Sequence, residues 1–285
     1  SNYTGDNGFQ IVAYVGWDDF KEADRTTNAS KLILSNSQMF SNISALTVSP
    51  YGSDSSTLMV GLENGYVLKV ENANTNSPTW TNLTGGSFLG SVSDIEFGAN
   101  ENEIFVTFHN YAVDNVFYSS DGGQNWQSKE GDLPDLPVRC LLQNPIVPNE
   151  VIIGTDLGVW YTKNFKDTSP NWQQGFNGMS DVRVTDMDMR DDYAVFASTY
   201  GRGVFSSYFD SDVPMLRLSS VQSNIKIDQG STGAFKVKYK IFKNYNEETE
   251  FFIEGLPANT DVKYSPSKTI NISENGELEI ELTID

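Results

Sequence analysis

Two aspartates and an arginine occupy matching places in recurring apolar segments of this chain. The segments begin at Ile43, Val92, Val138 and Val184. Asp94 and Asp186 each stand two residues beyond such a start, and Arg139 stands one residue beyond. Two carboxylates near a cation could act as a general acid and base, as in glycoside hydrolysis. The same residues would also suit the wet, polar lining of a channel.

Other residue types that often carry chemistry are scarce. The chain has one histidine, His109, and one cysteine, Cys140. A metal site needs more ligands of these types, so we predict no metal and no cofactor. We expect His109 on a surface hairpin and Cys140 as a small buried apolar residue. A single cysteine also excludes an internal disulfide.

A regular spacing of about 45 residues indicates how these positions are organised. Trp80, Trp126 and Trp172 are separated by 46 residues twice. Second-strand positions recur at intervals of 45, 46, 47 and 44 residues, at Gly16, Gly61, Thr107, Gly154 and Ser198. Units of this length with three or four short strands are typical of β-propeller blades, which must stack to bury their faces. The sequence therefore predicts an all-β fold.

The stretch Val116 to Trp126, VFYSSDGGQNW, adds a specific motif. Ser119, Asp121, Gly123 and Trp126 match the Asp-box pattern Ser/Thr-x-Asp-x-Gly-x-Thr/Ser-Trp, with Asn125 in place of Thr or Ser. The chain thus resembles BNR propellers, a group that includes sialidases, xyloglucan-degrading hydrolases and sortilin-like receptors. The resemblance implies a structural box at the blade periphery and catalysis, where present, at the tunnel mouth. Only one box is intact, since the turns before Trp80 and Trp172 keep the aromatic residue and lose the Asp-Gly core.

The repeats and a change of pattern predict the domain organisation. Residues 1–209 hold four blades and part of a fifth, a partial propeller completed either by more of the same protein or by another chain. Residues 210–214 form a Pro-containing linker. Residues 215–285 show alternating strands and resemble bacterial immunoglobulin-like modules, so we predict a small β-sandwich. An antibody-type domain is excluded because the Cys-Trp-Cys core is missing.

Charge narrows the class of partner. The formal net charge is −19, which disfavours nucleic acid and anionic membrane surfaces. No apolar run reaches membrane-spanning length, so direct insertion is not expected. Acidic BNR propellers followed by immunoglobulin-like modules resemble secreted or surface proteins of bacteria, some exported by the type IX pathway.

Two functions of different classes follow. The first is a non-catalytic interaction module at the cell surface that binds a protein or a glycan, with the sandwich as spacer. The second is a fragment of a BNR glycoside hydrolase that uses Asp94 or Asp186. The arginine triad and tyrosine nucleophile of sialidases are not found, because Arg139 and Arg183 do not make that set and no tyrosine is placed with them. We therefore expect binding without turnover.

Overall fold

The computed structural model describes most of the chain and divides it into two compact units. The described residues are 10–15, 30–51, 56–175, 178–179, 181–190, 193–209, 214–220, 225–242 and 244–284. One unit comprises residues 1–188 and 196–206, and the other comprises residues 189–195 and 207–285. No helix in the described ranges is long and apolar enough to cross a membrane. Both units are built from antiparallel β-sheets, which confirms the all-β prediction.

The repeats appear as sheets whose strands follow chain order. The strands up to residue 208 are β1 (Ile11–Val15), β2 (Ser30–Leu34), β3 (Ile43–Val48), β4 (Leu58–Leu62), β5 (Val67–Glu71), β6 (Thr79–Asn82), β7 (Val92–Phe97), β8 (Ile104–Phe108), β9 (Val116–Ser119), β10 (Gln127–Ser128), β11 (Val138–Gln143), β12 (Val151–Thr155), β13 (Gly158–Thr162), β14 (Gln173–Gln174), β15 (Val184–Met189), β16 (Ala194–Thr199) and β17 (Gly203–Tyr208).

Each repeat forms its own meander. We call the sheets β3–β6, β7–β10, β11–β14 and β15–β17 sheets I, II, III and IV; the first three have four strands and sheet IV has three, while β1 pairs with β2 alone. The first strands of sheets I to IV begin at the four residues predicted from the sequence. The predicted second-strand position Gly16 lies outside the described residues.

The apolar core lies between consecutive sheets. Every residue of β4 and β8 is buried, because a short apolar run in the middle of a sheet is covered on both faces. One cluster joins Met59 and Val67 of sheet I to Val92 and Ile95 of sheet II. A second cluster joins sheet II to sheet III, and a third joins sheet III to sheet IV. The sheets therefore depend on one another for burial.

Two recurring glycines permit this close stacking. A Cβ added at Gly61 would lie 2.5 Å from Val92 Cγ1, and one at Gly154 would lie 2.6 Å from Val184 Cγ1. In each case the contact is to the first residue of the next sheet. The glycines at these second-strand positions are thus required by the approach of the next repeat.

The second unit contains two further sheets. Its strands are β18 (Met215–Ser220), β19 (Ser231–Phe242), β20 (Glu247–Glu250), β21 (Thr260–Ser265), β22 (Thr269–Ile272) and β23 (Gly276–Ile284). One sheet has the order β18-β19-β23-β21, and the other pairs β20 with β22.

The predicted alternation in this unit is confirmed. Leu278, Ile280 and Leu282 lie in the core, and Lys238 lies opposite Glu277 in the register of β19 and β23. Strand β20 ends at Glu250, and Phe251 directly after it is buried in the core.

Candidate functional site

A bulge shapes the start of the first strand in sheets I, II and III. The pairing register shifts between Ile43 and Ala45, between Val92 and Asp94, and between Val138 and Cys140. The extra residue is Ser44, Ser93 or Arg139, respectively. A bulge re-aims side chains and is common beside binding sites. The bulge therefore lets the Arg139 side chain point in a different direction from the side chains of its neighbours in the sheet.

Asp94 joins two sheets through its carboxylate. Oδ1 accepts the backbone N–H of Ile95 at 2.9 Å, and Oδ2 accepts the backbone N–H of Leu141 in sheet III at 2.9 Å. Burial raises the pKa of Asp94 to about 6. Both oxygens of this predicted candidate are thus engaged in holding the repeats together.

Asp186, the second candidate, has a more open setting. It is exposed, and its Oδ1 accepts the backbone N–H of Met187 at 2.9 Å. Burial raises the pKa of Glu96 to about 8, and the charges of Asp94, Asp186 and Asp188 add to the effect. We call Asp94, Glu96, Asp186 and Asp188 the axial carboxylates. The structure therefore brings the two candidate aspartates into one electrostatic environment.

Cys140 stands at the same strand position as those aspartates. It is buried in the cluster between sheets III and IV. Burial raises the pKa of its thiol well above the usual value. The residue is therefore an uncharged apolar filler, as the sequence predicts.

Arg139, the third candidate, belongs to a different group. Its Nε lies 2.6 Å from Asp156 Oδ1, and Arg183 Nε lies 3.1 Å from the same oxygen. The guanidinium of Arg183 is also 5.9 Å from the ring centre of Tyr200. One carboxylate therefore holds two cations, one of which lies against an exposed aromatic ring.

Asp156 and Tyr200 belong to a set of four residues at equivalent places in the four sheets. Each directly follows the second strand of its sheet: Glu63, His109, Asp156 and Tyr200. The backbone N–H of each donates to a carbonyl just before the first strand, that of Asn42, Ser91, Pro137 and Arg183 in turn. We call the four residues together with Arg139 and Arg183 the strand-end cluster.

His109 is part of this cluster and begins the connection between β8 and β9. It is half-buried, and burial and the charge of Arg139 lower its pKa, so the ring is neutral near pH 7. Its Nδ1 has no hydrogen-bond partner within the described residues. His109 therefore lies on a hairpin, as the sequence predicts, but it is half-buried and not fully at the surface.

The strand-end cluster could have been found in the sequence from the spacing of its residues, although not from their types. Glu63, His109, Asp156 and Tyr200 are 46, 47 and 44 residues apart, and each lies two residues after a predicted second-strand position. The four side chains are of three chemical types, two carboxylates, an imidazole and a phenol, so only the spacing marks them as a set.

The predicted Asp-box residues form a closed hydrogen-bonded turn. Ser119 Oγ donates to Asp121 Oδ1 at 2.8 Å and accepts the N–H of Gly123 at 2.8 Å. The side-chain amide of Asn125 donates to Asp121, and this bond contributes most to lowering the pKa of Asp121 to about 2. Gly123 has a φ of 85°, which favours glycine.

The tryptophan after this turn reaches the preceding sheet. Trp126 Nε1 donates to Leu83 O at 2.7 Å, and Trp172 Nε1 donates to Lys129 O at 3.0 Å, both across 43 residues. In the third repeat, Asn164 accepts from Thr162 Oγ1 and from the N–H of Asn171. The turn before Trp172 thus keeps the bonding with an amide in place of the carboxylate, which the sequence analysis missed.

Among the described residues, no group of three or more His, Cys, Asp or Glu side chains is arranged to hold a metal ion. The strand-end cluster therefore offers hydrogen bonding, charge and an aromatic surface.

Comparison with known proteins gives distant structural neighbours. No family model matches the sequence. No curated protein matches it either. An ancestral GH74 enzyme is similar with a TM-score of 0.45 and 14% identity, over 72% of this chain and 30% of that one. The Niastella koreensis GH74 enzyme is similar with a TM-score of 0.42 and 12% identity, over 70% and 28%.

A third neighbour is the extracellular domain of a hybrid two-component system from B. thetaiotaomicron. It has a TM-score of 0.43 and 14% identity, over 76% of this chain and 29% of that one. The chain thus spans less than a third of the length of these structures. Similarity at this level does not assign an activity to this chain.

Proposed function

We propose that this chain is a non-catalytic, glycan-binding part of a BNR-type β-propeller in a secreted or cell-surface bacterial protein. In this proposal residues 1–209 belong to the propeller, residues 210–214 are the linker, and residues 215–285 are an immunoglobulin-like spacer. The hydrogen-bonded Asp121 turn and the stacked four-stranded sheets support the family assignment.

The strand-end cluster is the observation that carries the proposal. Asp156 is fixed between two guanidinium groups, and Tyr200 is 75% exposed beside Arg183. Sugar hydroxyls donate and accept hydrogen bonds, so they match a site that offers fixed carboxylates and guanidinium groups together. The face of a sugar ring is apolar and packs on an aromatic side chain. A neutral or weakly acidic oligosaccharide is therefore the expected ligand.

The same cluster is not suited to hydrolysis. Asp156 Oδ1 is already engaged in ion pairs with Arg139 and Arg183, so it is not free to act on a substrate. The other acid–base groups of the cluster are Glu63 and His109, and His109 lies beside the positive charge of Arg139. A glycosidase needs one protonated and one ionised carboxyl group across the bond that is cleaved.

The test is binding of oligosaccharides by calorimetry or on a glycan array. Tyr200→Ala should weaken binding about tenfold or more through the loss of stacking, which corresponds to about 1.4 kcal/mol. Asp156→Asn should weaken it further, because both arginines lose their shared partner. Tyr51→Ala is a matched control, since Tyr51 is also an exposed tyrosine but follows the other end of a first strand.

Equal binding by the wild type and both cluster variants would contradict the proposed site. If the chain binds another folded protein but no oligosaccharide, the strand-end cluster would be a protein-recognition site instead. Far-UV circular dichroism of each variant would show that the fold is kept.

A second candidate function is glycoside hydrolysis by the axial carboxylates. The raised pKa of Glu96 suits a general acid, and exposed Asp186 shares its electrostatic environment. Asp94 is less suited, because both of its oxygens already accept backbone N–H groups. Turnover of β-glucan oligosaccharides or sialosides that disappears in both Glu96→Gln and Asp186→Asn would favour this function over binding alone.

A further inference from the structure

Buried polar atoms without a partner lie at the end of the sheets that carries the strand-end cluster. Among the described residues four buried side-chain atoms have no hydrogen-bond partner, and three of them are Ser44 Oγ, Ser91 Oγ and His109 Nδ1. Ser44 is the second residue of β3, Ser91 directly precedes β7, and His109 directly follows β8. Buried polar groups are nearly always hydrogen-bonded in proteins, so a group of such atoms in one region points to a ligand.

The backbone that carries the imidazole of His109 is held on both sides. The N–H of His109 donates to Ser91 O at 3.4 Å, and Asn110 Oδ1 accepts the N–H of Ser91 at 2.7 Å. At the other end of the same connection, the N–H of Asn115 donates to Glu130 Oε2 at 2.7 Å. Binding groups act best from a fixed backbone, so this connection is suited to present a side chain to a ligand.

The strand-end cluster is rich in hydrogen-bond donors, while oxygens of its carboxylates are already engaged. Asp156 Oδ1 is shared by Arg139 and Arg183, whose Nε atoms lie 2.6 Å and 3.1 Å away. Glu63 Oε2 accepts the side-chain amide of Asn42 at 2.7 Å. A sugar hydroxyl can accept a hydrogen bond from a guanidinium group, but its own proton needs an acceptor. A nitrogen of a neutral imidazole is such an acceptor.

The surroundings of His109 keep its ring neutral near pH 7. Burial is the largest effect and lowers the pKa of His109 below 6.5, and the charge of Arg139 on β11 lowers it further. The charges of Asp156, after β12, and Glu63, after β4, act in the opposite direction and are outweighed. The ring therefore acquires its proton only in acid.

We propose that His109 is a specificity-determining residue of the strand-end cluster, whose neutral Nδ1 accepts a hydrogen bond from a hydroxyl group of the bound glycan. This inference rests on the proposed glycan-binding function. Protonation turns Nδ1 into a donor and adds a positive charge beside Arg139. A neutral sugar with a free hydroxyl at this point is therefore bound at neutral pH and released in acid, whereas an acidic sugar would bind more tightly in acid.

The test measures calorimetric affinity at pH 7.5 and pH 5.0 for two probes, cellotetraose as a neutral oligosaccharide and sialyllactose as an acidic one. We expect the wild type to bind cellotetraose at pH 7.5 and to lose affinity as the pH falls below 6.5. The loss should approach about tenfold per pH unit, because a single proton competes with the ligand for Nδ1.

Two variants separate the role of His109 from that of other titrating groups. His109→Asn keeps an acceptor near the position of Nδ1 and does not titrate, so it should bind cellotetraose with similar affinity at both pH values. His109→Leu removes the acceptor and should bind about tenfold or more weakly at both. Burial raises the pKa of Glu130 to about 7, so a pH effect that persists in His109→Asn would come from Glu130 or another carboxyl group.

Nuclear magnetic resonance provides a readout that a merely structural role would not move. The chain has a single histidine, so its imidazole nitrogen signals report on His109 alone. Cellotetraose should shift the Nδ1 signal and lower the pKa of His109 further, because a ligand that prefers the neutral ring must disfavour its protonation by the same factor.

The outcomes distinguish the role of His109 from glycan binding itself. Cellotetraose binding that is equal at both pH values, with an unshifted Nδ1 signal, would overturn the role of His109 and leave glycan binding by the cluster intact. Binding of sialyllactose alone, tighter in acid, would also overturn it, because His109 would then act as a cation. If the folded protein binds neither probe at pH 7.5, the proposed function is contradicted and this inference with it.

Discussion

Replacing Trp126 with alanine would measure how strongly a hairpin side chain joins two neighbouring sheets. The indole lies between β9 and β10 of sheet II and packs with the cluster shared by sheets I and II. Its ring centre is 5.1 Å from that of Phe88, and its N–H donates to Leu83 O. The substitution therefore removes packing and one hydrogen bond across a sheet boundary.

The expected cost follows from burial. A fully buried tryptophan costs about 3–5 kcal/mol when it is truncated to alanine. Trp126 is only half-buried, so we expect about 2–3 kcal/mol, including about 1 kcal/mol for the hydrogen bond to Leu83. Trp172 makes the equivalent bond and is 5% exposed, so Trp172→Ala should cost more, about 3–5 kcal/mol.

Urea unfolding followed by tryptophan fluorescence is a suitable assay. All five tryptophans precede residue 209, so the signal reports on the repeats and not on residues 215–285. Trp126→Phe serves as control, because it keeps an aromatic ring beside Phe88 and loses the N–H. We expect it to cost about 1 kcal/mol.

The relative loss of unfolding free energy in the three variants tests the proposed role of the hairpin. If Trp126→Ala costs no more than Trp126→Phe, packing across the boundary contributes nothing and the proposed role of the hairpin is refuted. If Trp172→Ala is the mildest of the three, burial does not set the cost.

Three further predictions concern the turn, the axial carboxylates and the domain boundary. Asp121→Ala should cost about 1 kcal/mol in urea unfolding, whereas Asp121→Asn should cost less, because Asn164 makes the equivalent bonds in the third repeat. Burial raises the pKa of Glu96 from 4.5 to about 8, so the folded state binds more protons than the unfolded state between these values and stability falls as pH rises through them. Glu96→Gln should remove that fall and stabilise the protein at pH 8; an unchanged pH profile would contradict the raised pKa. Residues 215–285 should give a β-type circular dichroism spectrum and a cooperative thermal transition when expressed alone, and a disordered spectrum would refute the boundary.

The sequence determined the repeating β-structure of this protein. The 45-residue spacing of apolar runs predicts where β3, β7, β11 and β15 start. The two-residue period of a strand predicts the alternation in β19. The turn at Asp121 was also readable, because its hydrogen bonds join residues close together in the chain.

Only the tertiary structure decided what the candidate side chains do. Asp94 was a potential acid or base in the sequence, and it became a link to Leu141 because the next sheet places an N–H against it. The sequence grouped Arg139 with the aspartates. In the structure Arg139 lies at a bulge and its guanidinium forms an ion pair with Asp156. Hydrogen-bond partners 17 to 47 residues away cannot be read from local pattern, since they depend on how the sheets stack. The sequence set which strands form, and packing between them set which polar groups are left to bind a ligand.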